Sequence, residues 1–488
     1  MKNGGSQRRL SQSHVVLGAG PAGLVTAREL CRDDHPVVVL EKNGVVGGLA
    51  RTEIRDGFRF DLGGHRFFTK KPALNAYLTE VLGDELVDVQ RKSHVYFDGK
   101  RYRYPLEPVN VLWGMGIADV TRALVDFGRA QLTAHLLPHR VETFEDWVVW
   151  KFGRTLYELF FRSYTEKVWG IPCNKLSAEW ASQRIRQFDL GQAVLTGLKL
   201  QNRDQHTTLV EQFRYPRRGY GRIAERLAQD CRSRGGLVLL GQQVVALKHD
   251  GRRIIAAKTA DGKRFPTCSV TSSLPWGVLC RLLQPSPPDP IMQAAERLYF
   301  RDLIIVHVRI DMPGVTDDTW SYIQDAQCRI GRVHEPKNWS SEMVDSPNHT
   351  SLVCELFCTR GDVLWRSSDA ELGYIVVEEL SEVLRIVPKN RVMAWDVVRV
   401  GFAYPVLYAG YESVFQQLRE YFEQFENLHL VGRSGMYRYH NVDHVLETGI
   451  LAAKNIIGGK RAFDVFRVNA DPSYHEDIAH TDPLEIGA

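Results

Sequence analysis

The chain has 488 residues, 44% of them hydrophobic and 25% charged, and carries a formal net charge of +4. That balance belongs to a globular chain with a large core, and so small a charge, with Lys and Arg dispersed rather than in blocks, gives no ground for a nucleic-acid partner. No run of about 18 apolar residues is present, so no membrane span is expected, and the polar stretch Met1–Gln12 lacks the apolar centre of a signal peptide, which points to the cytoplasm.

In chain order, His14–Leu17 reads as a buried strand ending at Gly18, Pro21–Arg32 as a helix and Pro36–Leu40 as a second strand ending at Glu41, a βαβ unit. Ser93–Tyr104 alternates around Asp98-Gly99 and predicts a hairpin. Pro108–Arg186 is mainly helical in pattern. Leu237–Leu247 and Arg252–Ala260 read as strands joined through Asp250-Gly251, and Ser269–Pro275 as another. Residues 301–310 and 351–358 predict strands of a mixed sheet, Ala370–Ile386 an amphipathic helix, Leu428–Val431 a last strand and His444–Ile457 a last helix. The polar tail from Asp464 to Ala488 reads as a loose extension.

Nucleotide-binding pieces thus recur at three places, so another domain must be inserted between them. The division expected is 10–92, 216–280 and 426–462 for the nucleotide domain, 93–215 for a mainly helical cap, 281–425 for a mixed-sheet domain and 463–488 for the tail. The eight cysteines form no CxxC pair and suit neither zinc nor a disulfide framework, so reduced thiols and no metal are expected.

Gly18-Ala-Gly20-Pro-Ala-Gly23 lies between strand and helix, where a GxGxxG carries a physical meaning. Gly18 permits the tight turn, Gly20 lets backbone approach a pyrophosphate, and Gly23 lets helix and strand pack closely. The helix N-terminus offers unpaired N–H groups to phosphate, and Glu41 can accept ribose hydroxyls. The following Gly47-Gly48-Leu-Ala-Arg51 resembles the second fingerprint of glutathione-reductase-type FAD folds, which makes the dinucleotide FAD and gives Arg51 a phosphate to neutralise.

From Asp61 the chain reads D-L-G-G-H-R-F-F, and with the preceding motifs it resembles the amine-oxidase and protoporphyrinogen-oxidase superfamily. Phe152–Gly170, Phe213–Gly221 and Gly432–Asp443 narrow the resemblance to UDP-galactopyranose mutases. The fold this implies is α/β, a glutathione-reductase-type FAD-binding Rossmann domain with an inserted helical and mixed-sheet substrate domain. The resemblance places Gly64, Val244, Gly432, Arg433, Asn441 and Val442 against the flavin cofactor. It places Arg184 and Arg332 on a sugar-nucleotide diphosphate, where two forked guanidiniums suit two phosphates, with Tyr404 and Tyr439 also reaching it. Phe160, Tyr164, Trp169, Trp320 and Tyr322 would line the substrate pocket, and His65 would lie beside the flavin, with an ordinary pKa near neutrality that lets it switch.

Two reactions follow from the resemblance. One is mutase-like isomerisation of pyranose to furanose through a flavin N5–sugar adduct, without net redox. The other is oxidation of a sugar, amine or natural-product intermediate by FAD, in the manner of an amine oxidase or dehydrogenase. It draws on Arg66, an extra cation after the Gly-Gly-His turn, and on Asn441 where bacterial mutases carry Asp. NAD(P)H is the candidate reductant, and the helical segment serves either as an oligomer surface or as a cap.

Overall fold

The computed structural model describes residues 13–97, 99–104, 117–136, 141–180 and 212–469. Its organising element is a five-stranded parallel sheet in the order Leu428–Leu430, Ser269–Ser272, His14–Leu17, Val37–Leu40, Leu237–Leu239. Three separate stretches of sequence therefore meet in one sheet. His14–Leu17, Val37–Leu40 and Ser269–Ser272 are buried at every position, as expected of central parallel strands covered on both faces.

Helices Pro21–Arg32 and Val442–Ile457 pack together so closely that a methyl group on Gly449 would lie 2.7 Å from the Ala22 carbonyl oxygen. Thr26 Oγ1 donates to the Gly449 carbonyl at 3.2 Å, which fixes the register of the pair. The last helix thereby ends up beside the first. On the other side, helix Arg222–Ser233 brings Cys231 Sγ to 3.4 Å from Cys31 Sγ; both thiols are buried and free.

Leu237–Leu247 does not run as one strand. The chain turns at Gly241, whose φ of +66° suits glycine, and splits it into Leu237–Leu239 of the parallel sheet and Val244–His249 of a four-stranded sheet. There Val244–His249 pairs antiparallel with Ile254–Thr259 across Asp250-Gly251.

The second large layer is a seven-stranded mixed sheet in the order Val392–Pro405, Phe300–Ile310, Thr350–Cys358, Arg332–His334, Trp320–Ile323, Ser93–Phe97, Lys100–Tyr104. The hairpin at Ser93–Tyr104 forms as expected, and Ser93–Phe97 pairs in parallel with Trp320–Ile323. Helices Ile117–Leu136, Phe144–Phe152 and Ser163–Trp169 supply the helical segment. The helix predicted over Ala370–Ile386 runs Asp369–Glu378 and widens over Glu379–Val383. The tail is docked where it begins, since Phe466 lies 6.0 Å from Phe415 and 6.4 Å from Trp276 between ring centroids. No described helix is long and apolar enough to cross a membrane.

Candidate active site

The glycine loop ends the first strand. Gly18 has φ +95°, and its N–H donates to the Leu40 carbonyl at 2.9 Å. A Cβ on Gly23 would lie 2.2 Å from the Gly18 carbonyl oxygen, so this position admits only glycine. Gly20 is the opposite case: nothing lies within 4 Å of where its Cβ would be. It caps helix Pro21–Arg32 without a side-chain hydrogen bond and without an acid in the first turn. The first N–H groups are therefore left to an anion.

Gly47 N–H donates to the Ala19 carbonyl at 2.8 Å, and a Cβ on Gly48 would sit 3.4 Å from Gly20 Cα. The two glycine motifs are thus one surface. Glu41 is buried and braces it, accepting from Ala19 N–H at 2.9 Å and from Asn43 N–H and Nδ2 at 2.9 and 2.7 Å. Only its remaining lone pairs are open to a ribose. Arg51 is held on this surface: its Nε donates to Glu53 at 2.7 Å and its Nη1 to the Gly48 carbonyl at 3.2 Å. Gly432, at φ +75°, backs onto Ala22, and its N–H donates to Thr448 Oγ1 at 3.1 Å. Asn441 N–H donates to His444 Nδ1 at 3.2 Å at the start of the last helix, and Val442 packs half-buried on the core beside the parallel sheet. Val244 opens its strand and is half-buried against the second core.

Gly63-Gly64-His65 forms the next wall. Gly63 has φ +122°, and Gly64 N–H donates to Glu355 Oε1 at 3.1 Å. The His65 ring stacks on Tyr220, with centroids 5.4 Å apart and planes 19° apart. Burial first, then the Arg433 and Arg332 cations, push this histidine down to about 3. It is neutral near pH 7, contrary to the expected switch. His65 Nδ1 and the Tyr220 hydroxyl are both buried without a hydrogen-bond partner, two polar atoms that a polar ring system would satisfy. The open helix start, the merged glycine surface and these orphaned atoms together fit FAD.

Arg332 lies against this wall, its guanidinium carbon 3.9 Å from where a Cβ on Gly64 would be. Its Nε and Nη2 grip the two oxygens of Glu355, with Nε at 2.8 Å, and Nη2 also donates to the Tyr404 hydroxyl at 3.2 Å. Glu355 is fully buried. Burial opposes the arginine's charge, yet Glu355 and Tyr404 outweigh it and hold the guanidinium well above its ordinary value. Tyr404 stacks on Tyr439 with centroids 5.8 Å apart and planes 11° apart, and Arg433 lies 5.4 and 5.0 Å from the two rings. Trp169 stands 6.3 Å from both. Its indole Nε1 is buried and unpartnered. Burial pushes Tyr404 up to about 12, so it remains a neutral phenol that can donate. Tyr164 meets Tyr322 edge-on at 6.0 Å, and burial holds its hydroxyl well above the usual range.

The structure therefore gathers Arg332, Tyr404, Tyr439, Arg433 and Trp169, with Tyr164 and Tyr322 adjoining. It does not gather all that was expected. Phe160 sits in a wide helical turn 5.7 Å from Phe97, in the same apolar cluster as Trp169, Tyr404 and Tyr439 but without a ring contact to them. Trp320 is in the core with Phe213 and Trp339, and the guanidiniums of Arg66 and Arg91 each lie 5.2 Å from its ring. Arg184 lies outside the described residues. Glu355 was missed, although one carboxylate in the otherwise uncharged, fully buried strand Thr350–Cys358 signals a buried charge that needs a partner. Tyr220 was not singled out within the stretch Phe213–Gly221. The described residues hold no group that could bind a metal.

Comparison with known proteins agrees with this geometry. The family profile of flavin containing amine oxidoreductase matches residues 21–457. A Klebsiella pneumoniae protein named "Probable UDP-galactopyranose mutase" is 26% identical over 171 residues, 34% of this chain and 42% of the relative. Putrescine oxidase of Kocuria rosea is 37% identical over 103 residues, 20% of this chain and 21% of that protein. The chain thus matches less than half the length of these curated relatives. Among solved structures, reduced UDP-galactopyranose mutase superposes with a TM-score of 0.80 at 21% identity, covering 94% of this chain and 98% of the other. Putrescine oxidase bound to putrescine gives 0.63 at 16% identity, covering 92% and 99%. These superpositions establish the shared mixed α/β fold. With the profile spanning residues 21–457, the chain belongs to the flavin-containing amine oxidoreductases and is a flavin-dependent enzyme whose cofactor is FAD.

Proposed function

We propose that this enzyme acts on a nucleoside-diphosphate sugar as a mutase-like isomerase that interconverts pyranose and furanose forms. The observation that carries this reading is the cluster of Arg332, Arg433, Tyr404, Tyr439 and Trp169. The Arg332 guanidinium is paired with the one buried carboxylate, Glu355, and the Arg433 guanidinium lies over the Tyr404 and Tyr439 rings with its Nε and Nη1 on backbone carbonyls, so two cations stand beside neutral phenols and a single paired acid. Such a pocket stabilises a diphosphate and repels an ammonium substrate.

In this reading FAD binds in a glutathione-reductase-type domain, with its pyrophosphate over Gly18, Gly20, Gly23, Gly47 and Gly48 and its ring beside Gly64, His65 and Tyr220. Gly432, Arg433, Asn441 and Val442 hold it from the C-terminal side. The chemistry at the anomeric carbon is supplied by the reduced flavin when bound. The protein binds and orients: Arg332, with Glu355 behind it, holds the diphosphate, Tyr404 and Tyr439 donate to phosphate oxygens, and Tyr164, Tyr322 and Trp169 flank the nucleoside. Neutral His65 accepts or donates one hydrogen bond at Nδ1 rather than adding a charge. Arg184 would complete the clamp, and NAD(P)H is the proposed source of electrons.

The second reading is net oxidation by FAD, supported by the breadth of the family and by the putrescine oxidase relative. Arg66, the extra cation this reading draws on, lies 5.2 Å from the Trp320 ring and acts electrostatically on Tyr220. One experiment separates the two. Incubation with UDP-galactose and dithionite is expected to yield the furanose isomer. Turnover only with oxidised flavin, with hydrogen peroxide or a reduced acceptor formed, would replace the first reading with the second.

A further inference from the structure

The walls of the proposed substrate pocket come from different elements. Tyr164 and Trp169 belong to helix Ser163–Trp169, whereas Tyr322 and Arg332 belong to two strands joined by the irregular turn 324–331. Nothing in regular sheet or helix hydrogen bonding fixes the distance between that helix and that turn.

Lys167 does. It lies on the same helix, three residues after Tyr164 and two before Trp169. Its ammonium donates to three backbone carbonyls of the turn region: Ile323 at 2.9 Å, Asp325 at 2.8 Å and Ile330 at 3.4 Å. An ammonium has three N–H donors, and all three are engaged. It forms no ion pair among the described residues. The turn is also held by buried Glu379, which accepts from Arg329 N–H at 2.8 Å, Ile330 N–H at 3.0 Å and Cys328 Sγ at 2.9 Å. A cation thus meets the turn's carbonyls and an anion its amides, so both ends of its peptide dipoles are pinned.

The helix is fixed in turn. Buried Arg301 donates to the carbonyls of Lys167 at 3.1 Å and Val168 at 2.9 Å and to Thr359 Oγ1 at 2.6 Å, which ties the helix C-terminus to the seven-stranded sheet. Gly170, at φ +68°, leaves the space: a Cβ there would lie 2.5 Å from the Arg301 guanidinium carbon.

We infer that Lys167 is a positioning residue that sets the width of the substrate pocket by latching the aromatic helix to the turn preceding Arg332. The inference rests on the nucleoside-diphosphate reading above. It predicts that loss of the latch weakens ligand binding without disturbing the flavin, whose expected contacts lie on other elements.

The test is calorimetric titration of the FAD-loaded protein with UDP. Wild type is expected to bind. Lys167→Met is expected to bind at least tenfold more weakly, with unchanged flavin content and with hydrogen exchange faster over 324–331. In Lys167→Ala, added n-propylammonium is expected to recover affinity, because it replaces the missing arm and charge. Should the Met and Ala variants not fold, Lys167→Gln, which keeps two donors on a shorter arm, is expected to show an intermediate loss. UDP affinity within threefold of wild type in a folded variant would overturn the latch and leave the nucleoside-diphosphate reading standing. A fall in melting temperature with affinity unchanged would overturn it equally, since that is all a merely structural lysine would show. Failure of wild type to bind UDP would remove both.

Discussion

Arg332 and Glu355 form a two-pronged ion pair across neighbouring strands, and the same carboxylate accepts the N–H of Gly64 from the flavin-side loop. The guanidinium is thereby oriented before any ligand arrives, while its Nη1 has no partner among the described residues. One carboxylate thus connects the loop expected at the flavin to the arginine expected at the substrate. Replacing Glu355 by Ala strands a cation that is only one-fifth exposed. Breaking one side of a buried pair costs about 3–5 kcal/mol, so a clear fall in melting temperature is expected. Saturating UDP should reverse much of that fall, because the ligand returns negative charge to Arg332. A melting curve of Glu355→Ala that UDP does not move would show that no diphosphate reaches this arginine.

Arg332→Ala is expected to weaken UDP binding by about 2–5 kcal/mol, the range for removing one partner of a hydrogen-bonded charge pair at an interface. Arg332→Lys should recover little of it. A lysine is a point charge and cannot hold both Glu355 oxygens while reaching Tyr404. Calorimetry on both variants measures this, and equal affinity of wild type and Arg332→Lys would reduce the role of Arg332 to simple charge.

The nucleotide half of the fold is legible in the sequence because its determinants are local. His14–Leu17 and Val37–Leu40 are short apolar runs, Gly18 and Gly47 sit at turns with φ +95° and +110°, and Gly23 sits where helix meets strand with no room for a Cβ. The site beyond is less legible because its contacts span long distances in sequence. Gly64 meets Glu355 across 291 positions and Lys167 meets Ile323 across 156. No periodicity reports such pairs. Arg51 and Trp320 show how a residue expected at a ligand also has protein partners that its motif does not announce. Residue type and place in a motif suggested a ligand, whereas a nearby Glu53 and a hydrophobic core already engage them. The split of Leu237–Leu247 has a local cause, a glycine at φ +66°, that an apolar pattern read as one run conceals.

His65 gives a pH prediction of definite sign. Its ring titrates near about 3 in the fold, chiefly because burial disfavours the charged form, against about 6.5 in an unfolded chain. As pH falls, the unfolded chain therefore takes up this proton first. The contribution of neutral His65 to stability is complete above about pH 6.5 and is lost progressively as pH falls from there towards 3. The melting temperature of wild type should drop more steeply over this window than that of His65→Gln, which carries no titrating ring. His14 is shifted in the same direction, is common to both proteins and cancels in the difference, whereas His334 is held down partly by His65 and so belongs to the same contribution. Parallel curves would mean that the ring is not held neutral by its surroundings.

Gly20 and Gly23 belong to one loop yet should fail in opposite ways. At Gly23 a methyl group would meet the Gly18 carbonyl oxygen at 2.2 Å and Val16 Cγ1 at 2.9 Å, both in the packed base of the sheet. Gly23→Ala must therefore push the helix off the strand, and overpacking of this kind costs about 1–3 kcal/mol or more. At Gly20 the backbone has φ −76°, which alanine adopts without strain, and the space ahead is open. Gly20→Ala should fold with a melting temperature near that of the flavin-free wild type. Its methyl would stand in front of the first N–H groups of helix Pro21–Arg32, where a pyrophosphate must approach. The flavin-to-protein absorbance ratio should accordingly fall sharply in Gly20→Ala, while in Gly23→Ala stability and flavin content fall together. A Gly20→Ala protein that purifies as yellow as wild type would place the pyrophosphate elsewhere than over this glycine.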